Sequence, residues 1–160
     1  MALRTIIQRG EEREDWLRKR SRPVDKVDDR IKTIMDDMVE TMREAKGAGL
    51  AAPQVGILRR MFVAEPEPGK LYYFINPEII SSEGARDSEE GCLSVPGYGG
   101  VVERPERITI KGLDREGKEQ EYTFEGFYAS VMCHEYDHLD GILYTDKAKA
   151  VQELDSDEEE

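Results

Sequence analysis

The chain of 160 residues contains only two histidines, and they stand four apart in His134-Glu135-Tyr136-Asp137-His138. Residues four apart on a helix project from one face, so both imidazoles can address a single metal ion. This constrains the fold more than any other feature of the sequence. The segment has to be helical, and its histidine face, continued through Val131 and Phe127, is expected to lie against the core. Two imidazoles buried beside two carboxylates with no partner would be costly, which disfavours a purely packing role. Glu135 lies between the histidines, where a carboxylate reaches a water held by the metal and not the metal itself, as a general base does. Such an arrangement hydrolyses amide or ester bonds. Two ligands do not complete a site, so a third has to come from elsewhere.

Cys92 is the candidate, within Glu90-Gly91-Cys92-Leu93-Ser94, where the neighbouring glycine lets backbone or substrate come close. Taken alone it is weak, because a free cysteine is more often a small buried hydrophobe. A third stretch, Gly47-Ala48-Gly49-Leu50-Ala51-Ala52-Pro53-Gln54-Val55-Gly56, superficially fits a dinucleotide-binding turn. Its context does not: it follows a helix, and Pro53 would fall inside the helix such a turn should open. A close-approach loop that presents the Gln54 amide to an oxyanion is the better reading.

Around these motifs, Val27, Ile31, Ile34, Met35, Met38, Val39 and Met42 mark one face of an amphipathic helix over 27–42, with Gly47 as its stop. The methionines are read as packing. Short strands are expected at Arg60–Ala64, Leu71–Ile75 and Arg107–Lys111, with a further alternation at Tyr122 and Phe124. Turns at Glu67-Pro68-Gly69 and Arg115-Glu116-Gly117 separate them. A second helix is expected from about Glu125 to Leu139. The order helix, strands, helix predicts an α+β domain, with small mixed or antiparallel β-sheets packed around a central metal-binding helix and an amphipathic helix near the N-terminus. One domain is expected over 1–154, followed by a disordered acidic tail at 155–160.

A net charge of −12 repels phosphate backbones and anionic headgroups, so neither nucleic acid nor a membrane surface is an expected partner. The short basic cluster Arg18 to Arg22 reads as a solvated face. Cys92 and Cys133 are expected as thiols in a cytoplasmic protein, since no signal, transit or membrane-spanning segment is visible.

The three stretches, in this order, resemble the signatures G-x-G-x-A-A-x-Q, E-G-C-x-S and H-E-x-x-H of the peptide deformylase family, and the likeness covers nearly the whole chain. The resemblance implies hydrolysis of the N-formyl group from the formylmethionine of nascent proteins, with release of formate. Carried over by residue, it implies one divalent metal ion held by Cys92, His134 and His138, with Glu135 as acid and base and the Gln54 side chain and Leu93 N–H as oxyanion donors. Iron(II) is the metal it implies in cells, while zinc, nickel or cobalt also suit the donors. It further implies an extended peptide beside Ala48, Gly49, Gly91, Ser130 and Val131, and a Glu90–Arg104 pair bracing the metal loop. Nascent chains at the ribosome exit are the expected partners, and a monomer the expected state. One departure is Cys133, where the family has glutamine.

Two rival readings share these residues. A zinc endoprotease would draw its third ligand from a downstream acid such as Asp146 or Glu153, and a structural zinc module would need a fourth protein ligand, for which Cys133 is the one soft candidate.

Overall fold

The computed structural model describes residues 2–154. The acidic stretch 155–160 lies outside the described residues.

The expected N-terminal helix forms as α1, Asp29–Glu44. It starts two residues later than the apolar pattern suggested, because Asp28 caps it by accepting from the Ile31 N–H. Gly47 is not its stop. Lys46 takes the left-handed conformation, φ 60°, and Gly47 is needed for another reason: a Cβ there would lie 2.7 Å from Leu93 Cδ1.

Among the described residues eight strands follow in two sheets, antiparallel throughout and not mixed. β1 (Gly49–Ala51), β2 (Met61–Ala64), β3 (Tyr72–Glu83), β6 (Arg107–Leu113) and β7 (Glu119–Glu125) form a five-stranded sheet in the order β1-β2-β3-β6-β7. β4 (Arg86–Cys92), β5 (Val95–Arg104) and β8 (Ala150–Glu153) form the second. The strand expected at Leu71–Ile75 begins one residue later and runs on to Glu83, because its outer half pairs with β6. The unforeseen strands are β1, β4, β5 and β8.

Helix α2, Gly126–Leu139, contacts strands of both sheets, as a central helix should. The short helix α3, Tyr144–Lys147, leads from it into β8. β2 is the wall between the two helices. Met61 and Val63 face the α1 layer with Met35, Met38 and Met42, while Phe62 and Ala64 face the α2 layer with Phe74, Phe124 and Met132. All four β2 residues are buried, as expected of a strand covered on both faces. The methionines on α1 are therefore packing, as expected.

The N-terminal segment joins these layers to the loops of the site. Ala2 N–H and the Arg4 guanidinium both donate to the Asp37 carboxylate on α1. Further along, Ile7 N–H donates to the Gln54 carbonyl and Arg9 N–H to the Ser94 carbonyl. The basic cluster is exposed, as a solvated face should be, with Arg18 paired to Asp146 and Arg20 to Asp140 at the surface.

Burial alone would raise the pKa of Asp37, but the hydrogen bonds from Ala2 and Arg4 outweigh it and hold the carboxyl below its ordinary value. A carboxyl depressed in the folded state stabilises above its unfolded pKa, and that contribution is lost as pH falls through the folded value. Asp37→Asn should lower stability at neutral pH and flatten its decline in the acid range below about pH 4, as read from urea melts of both proteins at stepped pH.

Candidate metal centre

The β4–β5 hairpin and α2 bring the distant motifs together. Cys92 ends β4 and pairs with Val95 across a tight turn, with a register shift at Gly91. A bulge of this kind bends a strand and re-aims the side chain beside it. On α2, His134 and His138 lie one turn apart with ring centroids 5.1 Å from each other. Cys92 Sγ is 3.4 Å from His138 Nε2. One ligand atom from each of Cys92, His134 and His138 lies within 4.8 Å of the other two.

The surroundings fix these groups. His134 Nδ1 lies 2.8 Å from Glu90 Oε1, so an Nδ1–H donates there, and in the neutral imidazole Nε2 is left with a lone pair. Glu90 in turn receives two bonds from Arg104, at 2.8 and 2.7 Å, and Arg104 also reaches Asp137 at 2.7 Å. Burial pushes the Glu90 carboxyl up, but the bonds from Arg104 and His134 prevail and hold it at about 2. Glu90 is thus an anion at any working pH, and the expected Glu90–Arg104 pair is present. Asp137 and Tyr144 were not foreseen as parts of the site. Asp137 stood inside the motif, and only the fold shows that it faces Arg104. The Tyr144 ring stacks on His134 at 5.9 Å.

Glu135 is 4% exposed, and its buried Oε1 has no partner among the described residues. Burial without an adequate counter-charge raises its pKa to about 7, in the range where one carboxyl can both take and give a proton. Gly49 is small because Glu135 requires it: a Cβ there would lie 2.6 Å from Glu135 Oε2. Gln54, in a short 3-10 turn, accepts from Ala51 N–H through Oε1 and donates from Nε2 to Ser94 Oγ, with Cys92 Sγ 3.6 Å away.

A cleft of about 350 Å³ opens on this group. Gln54, Leu93, Cys92, His134 and Glu135 line it together with Ala48, Gly49, Gly91, Ser130 and Val131, whereas His138 lies behind, 1% exposed. Phe127 corrects the expectation of a wholly buried helix face, being 51% exposed where it lines the cleft.

The family model described as polypeptide deformylase matches residues 3–154. The chain belongs to this family. A peptide deformylase of Acetivibrio thermocellus is 51% identical over 162 residues, covering 100% of this chain and 91% of its own. One of Thermoanaerobacter pseudethanolicus is 46% identical, covering 100% and 97%. The crystal structure of the Thermotoga maritima peptide deformylase superposes with a TM-score of 0.88 at 40% identity, covering 94% of this chain and 100% of that one. A peptide deformylase from Synechococcus elongatus, in complex with actinonin, gives 0.86 at 34% identity, covering 92% and 79%.

The rival ligands lie elsewhere in this deformylase fold. Asp146 accepts from Leu143 N–H and pairs with Arg18, Glu153 is exposed on β8, and Cys133 packs in the α2 core, where burial pushes its thiol up to about 11.

Arg104→Met should destabilise the protein by about 3–5 kcal/mol, since it leaves Glu90 and Asp137 as buried charges without their partner. It should also weaken metal binding by roughly 10–100-fold by loosening His134. Urea melts and metal titration of the same variant check both effects.

Proposed function

We propose that Cys92, His134 and His138 hold one divalent metal ion, and that Glu135, Gln54 and Leu93 work beside it in removing the N-formyl group from N-terminal formylmethionine. Deformylation of nascent peptides is the activity of the family to which the chain belongs, and the chain is accordingly a hydrolase of protein biosynthesis that acts on a linear amide. What carries the assignment to these residues is the convergence of a thiol and two imidazoles on one point, with Glu90 setting the tautomer of His134. A soft donor set of that kind fits a metal ion of the iron, zinc, nickel or cobalt type.

When bound, such an ion supplies a Lewis acid beside the formyl carbonyl and a water whose pKa is brought from about 15.7 towards about 7. The remaining work falls to the chain. Ala48, Gly49 and Gly91 leave space for an extended peptide, and Ser130 and Val131 line the place for the methionine side chain. Glu135, held at about 7 by burial, takes a proton from the attacking water and passes it to the leaving amine. Gln54 Nε2 and the Leu93 N–H donate to the oxyanion as the formyl carbon becomes tetrahedral. The C–N bond then breaks, giving formate and a free methionine amine.

The finer reading is that iron(II) is the native metal and that residues 1–154 act as one catalytic domain. A monomer meets nascent chains in the cytoplasm at the ribosome exit. The family's action on nascent peptides supports nascent chains as the partners, and among the described residues no helix is long and apolar enough to cross a membrane.

Formate release from formyl-Met-Ala-Ser by anaerobically purified protein, with acetyl-Met-Ala-Ser as control and metal measured on the same sample, tests the reading. Formate from the formyl peptide alone is expected, and none from a fully metallated sample would remove the assignment. Glu135→Ala should keep its metal and lose turnover, while Cys92→Ala should lose the metal. Gln54→Ala should slow turnover by roughly 10²–10³-fold, measured as kcat at saturating substrate.

A further inference from the structure

The cleft assigned to the methionine side chain is not apolar on every wall. Ser130 stands on α2 one turn before His134, lines the cleft and is 2% exposed. Its Oγ accepts a hydrogen bond from Arg86 Nη1 at 2.6 Å. Arg86 opens β4 and is held on its outer side by Glu106, Nε to Oε2 3.5 Å. A hydroxyl that accepts from a guanidinium keeps its own proton to donate, and among the described residues no side-chain or backbone acceptor is recorded for it. Ser88, two residues after Arg86 and so on the same face of β4, is 3% exposed and lines the same cleft. Val131 and the exposed ring of Phe127 supply apolar surface to it.

We infer that Arg86 and Ser130 give this pocket a fixed hydrogen-bond donor that recognises an acceptor on an unbranched side chain, so that N-terminal formyl-methionine sulfoxide is a substrate alongside formylmethionine. The inference rests on the deformylase reading and extends its substrate class. A thioether sulfur is a weak acceptor, whereas oxidation converts it into a polar sulfoxide. An apolar pocket would reject the sulfoxide because its oxygen would lose water without compensation. Here the charge of Arg86 strengthens the Ser130 hydroxyl as a donor, and the geometry is set before substrate arrives. The hydrolysis is unchanged: water cleaves the formamide to formate and amine, and the sulfur keeps its oxidation state.

The test compares kcat/KM for formyl-Met-Ala-Ser, its two separated sulfoxide epimers, and formyl-norleucine-Ala-Ser, which has the same length and no acceptor, on the metal-loaded enzyme. At least one epimer should exceed norleucine by roughly tenfold, the upper end of what one neutral hydrogen bond contributes. Arg86→Met and Ser130→Ala should each bring that ratio to one or below, and Arg86→Lys should restore most of it. If Arg86→Met does not fold, Ser130→Ala carries the comparison. A merely structural role for Arg86 would lower all substrates alike and leave the ratio intact, which overturns the proposal. Formate from the methionine and norleucine peptides, with both sulfoxides at or below norleucine, also overturns it while leaving the deformylase reading standing. No formate from any formyl peptide removes that reading and this proposal with it.

Discussion

Arg104 enters the interior between the β4–β5 hairpin and α2, and its guanidinium is shared by Glu90 on one element and Asp137 on the other. Taking three charges out of water is costly, and the arrangement is stable only while all three stay in register. Glu90 then has one remaining direction for its oxygen, which is His134. The Nε2 of His134 is therefore placed by a salt bridge that begins on β5, and Cys92 is placed by the bulge in the strand paired with β5. Hairpin and helix cannot shift independently, because the same arginine pins both.

The site was legible in the sequence where helical geometry alone fixes it. Histidines four apart share a face in any α-helix, and Glu135 between them points along the same turn. The convergence of Cys92 and Gln54 came instead from recognising three ordered motifs, because no local rule connects residues so far apart in the chain. Arg86 was illegible for a simple reason: an arginine in a polar, acidic stretch has no pattern that separates a buried contact with Ser130 from an exposed charge.

The fold was readable in proportion to its apolar periodicity. Helix α1 and strand β6 show one buried face and one wet face, and their boundaries came out within a few residues; of the alternating pair Tyr122 and Phe124 on β7, only Phe124 is buried. β4 reads Arg-Asp-Ser-Glu-Glu-Gly-Cys: its exposure alternates, but its inward positions include the polar Arg86, Ser88 and Glu90, so its hydrophobicity does not. β5 is interrupted by three glycines, and β8 is exposed along its length. These strands are held by backbone pairing and by ions such as Lys149–Asp87, which hydrophobic spacing does not reveal. Gly47 misled for a related reason: a glycine after a helix suggests a stop, and here it is the side chain of Leu93 that demands it.

The layers on the two sides of β2 differ in stiffness. Toward α1 the strand meets Met35, Met38 and Met42, long unbranched side chains that re-pack with little strain. Toward α2 it meets Phe74 and Phe124 in an interlocked aromatic cluster that includes edge-on pairs such as Tyr72–Phe124. The shared wall is thus cushioned on one side and rigid on the other. A change of volume on the α1 side therefore has an outlet in the methionine layer, and the helix that carries the histidines keeps its seat.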